Sequence, residues 1–139
     1  MIRVYTASKI STAPEWRDIH ATHPHVHFHA RWLKHNLKGT PDRADFASKF
    51  WLEDERDVHD CEALIVWARE GEHLRGALVE VGMAIAFGKP VIVVGTHADY
   101  STWQHHPQCQ LARDLAHALE LLVALDIANG THQDHGAHP

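Results

Sequence analysis

Several familiar motifs are missing from this 139-residue chain, and each absence removes a class of function. No Gly-x-Gly-x-x-Gly run precedes a helix, which argues against a dinucleotide cradle. No Gly-x-x-x-x-Gly-Lys-Ser/Thr is present for a triphosphate, and no Gly-x-Ser-x-Gly for a serine nucleophile elbow. Basic residues are in the minority, 13 Lys and Arg against 18 Asp and Glu, for a net charge of −5. No basic stripe follows a phosphate backbone, so nucleic acid is not an expected partner. The longest apolar runs are strand-sized, so no membrane span is expected. There are only 2 cysteines, Cys61 and Cys109. They are far apart and belong to no Cys-x-x-Cys pair, which fits reduced thiols in a cytosol. The N-terminus enters a strand at once without a signal-peptide pattern, and a cytoplasmic location is the expectation.

Histidine is the exception to this scarcity, with 15 copies. His25, His27 and His29 alternate with Val26, Phe28 and Ala30, a period of two that puts the imidazoles on one strand face. A solvated face explains this better than a metal site, because no carboxylate or cysteine stands nearby at ligand spacing. His132, His135 and His138 lie in a Gly/His/Asp segment after Asn129-Gly130 that reads as a disordered tail. The expectation is one domain over residues 1–128, a tail over 129–139, no metal and no cofactor.

Strands and helices alternate along the domain. Ile2 to Ala7 reads as a strand, and Ser11 or Thr12 caps a helix with Pro14 in its first turn. His25 to Trp32 reads as a second strand and Asn36 to Asp42 as a surface loop. Asp45 to Cys61 reads as a long helix with Phe46, Phe50, Trp51, Leu52 and Val58 near one stripe. Ala63 to Ala68 is an unbroken apolar strand of the kind covered on both faces. A helix ending at Gly88 leads into a strand over Val91 to Val94. A polar loop, Thr96 to Pro107, precedes a last helix over Ala112 to Asp126.

This order predicts an α/β fold: an open, mostly parallel sheet of four to five strands flanked by helices, a three-layer sandwich of the Rossmann-like or flavodoxin-like kind. Ligands in such sheets bind at the carboxyl ends of the strands, beside a reversal in strand order. Tyr5 to Lys9, Ala68 to Gly76 and Thr96 to Trp103 should converge there, with Trp32 and Lys34 at the rim.

The stretch LRGALVEVGMAIAFGKPVIVVG, Leu74 to Gly95, is the most informative. It sets a carboxylate, Glu80, in the early turns of an amphipathic helix at a helix–sheet junction. Such a group is costly to bury unless it is paired or used. Gly76 precedes the helix and lets backbone amides approach a ligand. Gly82 sits inside the helix, where it costs about 1 kcal/mol relative to Ala.

Asp54 eight residues before Glu62, then ALIVWA, then GALVEVGMAIAFGKPVIVV, resembles the nucleoside 2-deoxyribosyltransferase superfamily. The match is nearest to a small phage-associated and bacterial subgroup. Val4 to Lys9 (VYTASK), Trp32, Gly76 to Gly82 and His106-Pro107 carry the rest of it. The resemblance implies cleavage or transfer of the N-glycosidic bond of a nucleoside or nucleotide. Glu80 would attack the anomeric carbon, Asp54 would serve the leaving base, and Tyr5 would position Glu80 or the sugar. Ala7, Ser8, Lys9, Trp32, Arg75 and Gly76 would bind substrate, with Trp32 or Trp67 stacking on a base. It also implies a homodimer or larger assembly.

Two departures stand out. Ala7-Ser8 replaces the family's Ala-Gly at the end of the opening strand. Leu74, six residues before Glu80, replaces an Asp or Ser that contacts the sugar or its phosphate, which leaves Arg75 or Lys9 to hold a phosphate. The alternative is therefore a non-catalytic nucleotide-binding module with the same fold, in a phage-related setting, and a histidine-rich metal binder ranks third. The residues also have plainer readings: Glu80 as a helix-dipole partner, Asp54 in a solvated charge run, Trp32, Trp51 and Trp67 as core, and Cys109 as a small buried residue.

Overall fold

The computed structural model describes residues 2–24, 26–34, 44–95 and 100–137. The side chains of 10, 34, 44–46 and 130–137, and with them those of Lys34 and Phe46, lie outside the described set, as do His25 and the expected loop over Asn36 to Asp42.

Five strands form one sheet: β1 (Ile2–Ala7), β2 (Val26–Phe28), β3 (Ala63–Ala68), β4 (Val91–Gly95) and β5 (Cys109–Leu111). Their order is β2-β1-β3-β4-β5, and every neighbouring pair is parallel. Four helices flank them: α1 (Ala13–Thr22), α2 (Ala44–Asp60), α3 (Gly76–Ala86) and α4 (Leu115–Ala137). The chain steps from β1 outward to β2, then crosses back to β3. Strand order therefore reverses between β1 and β3, and a crevice opens beyond their carboxyl ends.

β1, β3 and β4 are buried along nearly their whole length, as continuous apolar strands covered on both faces should be. Each fully buried Val, Leu or Ile contributes about 1.5–3 kcal/mol. Tyr5 pairs with Leu64 and reaches α3, whereas Trp67, an odd number of residues further along β3, meets Trp16 of α1 edge-on at 5.2 Å. α3 and α1 therefore cover opposite faces, and α2 packs beside α3.

One glycine is fixed by the crossing of β3 and β4. Gly95 has φ +112°, and a Cβ there would overlap the carbonyl oxygen of Ala68. Gly95→Ala is expected to destabilise the fold by about 2–3 kcal/mol through strain and displaced backbone. Urea unfolding measures this, and an unchanged midpoint would contradict it.

Several boundaries differ from the sequence reading. β2 is only Val26–Phe28, and Arg31–Lys34 forms a one-turn 3-10 helix in place of the strand's continuation to Trp32. The histidine alternation does hold locally: Val26 and Phe28 are buried, His27 is exposed. Thr12 occupies the N-cap of α1, but its hydroxyl makes no capping bond. β5 was not anticipated; it is a short edge strand started by the Val91 amide donating to the Gln108 carbonyl at 2.8 Å. Cys109 within it is only half-buried. α4 starts at Leu115 and runs on through Asn129-Gly130 to Ala137 instead of stopping at Asp126. On α2 the apolar stripe is looser than expected, since Val58 is buried while Leu52 is 67% exposed.

Candidate functional site

A cleft of about 520 Å³ opens beyond the carboxyl ends of β1 and β3. β1 delivers Ser8 and Lys9 to it. The 3-10 turn after β2 delivers Trp32, and α2 contributes Trp51 and Asp54. The segment before α3 adds His73, Leu74 and Arg75, and α3 itself adds Gly76, Ala77 and Glu80. Segments distant in sequence thus meet at the reversal in strand order.

Glu80 forms the floor. It is 6% exposed, and the hydroxyl of Tyr5, itself fully buried in β1, donates a hydrogen bond to Glu80 Oε2. Burial pushes the Glu80 carboxyl up to about 8. The phenol donor opposes that push, because a hydrogen bond given to a carboxylate oxygen favours its ionised form. A carboxyl group held between these two influences at the base of a cleft is poised to ionise when positive charge arrives above it.

The remaining walls are anchored by identifiable contacts. The indole N–H of Trp16 donates to Ser8 Oγ at 2.8 Å, and the Ser8 hydroxyl donates to the Lys9 carbonyl at 3.4 Å, which fixes the side chain at the cleft wall. Arg69, just after β3, holds Glu72 at 3.2 Å and Glu15 of α1 at 2.8 Å, and its backbone N–H donates to Glu72 Oε1 at 2.7 Å. This network anchors the loop that carries His73, Leu74 and Arg75. Gly76 faces the ring of Trp51, which would lie 3.5 Å from a Cβ at that position. Trp32 is 8% exposed, and its indole N–H donates to the Thr6 carbonyl at 2.8 Å.

The structure brings Ser8, Lys9, Trp32, Asp54, Arg75, Gly76 and Glu80 to one cleft, with Tyr5 beneath. Ala7 is buried at the end of β1 and does not line it. The described part of Thr96 to Trp103 does not join either; Tyr100, Ser101 and Trp103 line a separate groove against Leu78, Val81 and Ile85 of α3. Trp67 lies on the opposite face beside Arg69 and Arg113, so it cannot stack on a ligand above Glu80. Trp51 is the converse case: taken from sequence as core, it is 37% exposed and lines the cleft. Its position one helical turn before Asp54 is the signal that places both on one face. His73 was also missed.

A larger groove of about 820 Å³ runs along the outer side of α2, between Arg31, Leu52, Arg56, His59, Asp60 and Phe87. Its polar groups are engaged with one another, as in Arg31–Glu53 at 3.8 Å and the His59 ring nitrogen 3.2 Å from Asp60. The smaller cleft, with its buried acid, is the better chemical site. Among the described residues no His, Cys, Asp or Glu group of three or more is arranged to hold a metal ion, and no helix is long and apolar enough to cross a membrane.

No family model and no curated protein sequence matches the chain. Among solved structures it is similar to the Clostridium botulinum CMP N-glycosidase BcmB, with 16% identity and a TM-score of 0.50. The similarity spans 86% of this chain and 97% of that one. At that identity the likeness establishes the shared fold, an all-parallel five-stranded sheet between helices.

Proposed function

We propose that this chain cleaves the N-glycosidic bond of a nucleoside or nucleotide, with Glu80 as nucleophile. The observation that carries the reading is the Tyr5–Glu80 pair, buried at the floor of an aromatic-walled cleft at the strand reversal. The fold shared with a CMP N-glycosidase supports it.

The chemistry follows from the placement of the groups. The base enters between Trp32 and Trp51, whose rings offer apolar faces to a flat heterocycle. Lys9 and Arg75, exposed at the mouth, offer charged donors to a 5′-phosphate, and Ser8 offers a hydroxyl to the sugar. As the C1′–N bond breaks, positive charge builds on the sugar directly above Glu80. That charge favours the ionised form of Glu80, whose proton leaves to bulk water through the open mouth of the cleft, and the carboxylate bonds to C1′ as the C1′–N bond breaks. Asp54 gives a proton to the departing base nitrogen. Water attacks C1′ from the vacated side, returns a proton to Asp54, and displaces the Glu80 carboxylate, which retakes its own proton from bulk water as the sugar leaves.

The testing experiment incubates the protein with cytidine, uridine, adenosine and guanosine, their 2′-deoxy forms and their 5′-monophosphates, and measures free base by chromatography. Base release from at least one of them is expected, with a monophosphate preferred over its nucleoside. No release from any, together with a ligand-dependent rise in melting temperature, would favour the binding-module reading. That second reading is supported by Leu74, which lines the cleft but makes no polar contact to a sugar or phosphate.

Tyr5→Phe tests the pairing. It removes the one donor given to Glu80 by the phenol, so kcat is expected to fall about 10–100-fold. The acid limb of the pH–rate profile should also move to higher pH. An unchanged profile would show that the phenol does not bear on Glu80.

We also propose assembly as a homodimer or larger, supported by the exposed Leu52 and Phe87 flanking one groove and the exposed Val79 on α3. Light scattering that reads a monomer at assay concentration would overturn this.

A further inference from the structure

A buried acid lies outside the cleft, on the helix that carries one of its walls. Asp57 of α2 is 2% exposed, one helical turn beyond Asp54. Both of its oxygens are engaged by Arg31. The Arg31 backbone N–H donates to Oδ2 at 2.9 Å, its Nε donates to Oδ1 at 2.9 Å, and its Nη2 lies 2.8 Å from Oδ1. Arg31 opens the 3-10 turn Arg31–Lys34, and the next residue is Trp32.

The same turn is held from two other sides. Arg17 Nη1 of α1 donates to the Leu33 carbonyl at 2.6 Å, and the Trp32 indole N–H donates to the Thr6 carbonyl at 2.8 Å. Thr6 follows Tyr5 in β1. One turn of chain is thus tied to α2, α1 and β1 together, and it stands at the point where β2 would otherwise have continued. The tie to α2 differs from the others because α2 carries the facing wall, Trp51 and Asp54. A guanidinium fork on a buried carboxylate fixes both distance and angle, which a lysine ammonium does not.

We propose that the Asp57–Arg31 pair is a positioning clamp that sets the gap between Trp32 and the Trp51–Asp54 face of α2, and through it which bases the cleft accepts. The inference rests on the N-glycosidase reading of the cleft. Neither Asp57 nor Arg31 lines the cleft, so neither is expected to touch substrate or the reacting atoms. Asp57→Asn keeps the shape and removes the charge, and Arg31→Lys keeps the charge and removes the fork.

The test measures kcat and KM with cytidine and adenosine 5′-monophosphates for the full chain and both variants, beside amide hydrogen exchange of the 29–34 segment. With the clamp loosened, KM for the better substrate should rise about tenfold while kcat stays within about twofold. The ratio of kcat/KM between the two nucleotides should shrink towards one, and exchange in 29–34 should quicken while β3 stays protected. A purely structural pair would lower the melting temperature and leave KM and the nucleotide ratio unchanged, which overturns the proposal. Loss of the fold in both variants overturns it as well, since the pair would then be a folding element. If the wild type turns over neither nucleotide, the glycosidase reading has failed on its own account. Calorimetric Kd values for cytidine 5′-monophosphate then replace KM in the same comparison, and a wild type that does not bind it removes the clamp's role.

Discussion

Glu80→Gln is expected to lower kcat for base release by at least about 10³-fold with the fold retained. The amide has the shape of the carboxyl and can still accept the Tyr5 hydroxyl's hydrogen bond. It can neither carry the negative charge that stabilises an oxocarbenium-like centre nor form the glycosyl ester. Because the amide is neutral, its burial costs less than that of a carboxylate, so the variant should melt no lower than the wild type near neutral pH. Steady-state base release together with a melting curve checks both halves. Undiminished turnover would remove Glu80 from the reaction, and lost turnover with a collapsed fold would leave the chemical role to be read from Tyr5→Phe.

The second large effect is on stability against pH. Burial raises the Glu80 carboxyl from its ordinary 4.5 to about 8 in the folded chain. The folded state therefore holds a proton that the unfolded state has already released between those values. The sign follows: this contribution is fully present below about pH 4.5 and is lost as pH rises through about 8. Its full size is about 5 kcal/mol, reduced by whatever the Tyr5 hydrogen bond returns to the ionised form. The many histidines titrate in the same window, so the informative quantity is the difference between wild type and Glu80→Gln. Urea unfolding from pH 4 to 9 should show the wild type losing stability relative to the variant by a few kcal/mol. Parallel curves would mean that folding does not raise the Glu80 carboxyl above its ordinary value.

The sheet was legible where local pattern and tertiary role agree. ALIVWA and VIVV are apolar runs without alternation, and β3 and β4 lie on them, buried on both faces. Gly88, at φ +74°, stands just past α3 as a glycine should after a helix. The reading failed where distant contacts decide. β2 ends at Phe28, and the chain turns into the 3-10 turn whose first residue, Arg31, is paired with Asp57 far along the sequence. β5 is three residues long, with Gln110 and Leu111 exposed, and too short to show a period. Its pairing with β4 alone defines it.

The site was legible in the same uneven way. Glu80 stood out because a carboxylate in that helix needs a reason, and its cleft neighbours Ser8, Lys9, Arg75 and Gly76 follow from the strand ends, whereas Asp54 was singled out only by the family resemblance. Trp51 was hidden by its place on an apolar stripe, although its position one turn before Asp54 puts it on the face that borders the cleft. Asp57 was hidden within a charge run, where sequence alone does not separate a buried carboxylate from solvated neighbours.

The most direct test of the account is to capture the sugar on the protein. A 2′-deoxy-2′-fluoro nucleotide of whichever base is released slows breakdown of a glycosyl ester, because the fluorine destabilises the cationic centre. Intact mass should then rise by one sugar phosphate, and peptide mapping should place it on Glu80. A label on any other residue, or base release that continues in Glu80→Ala, would contradict the account.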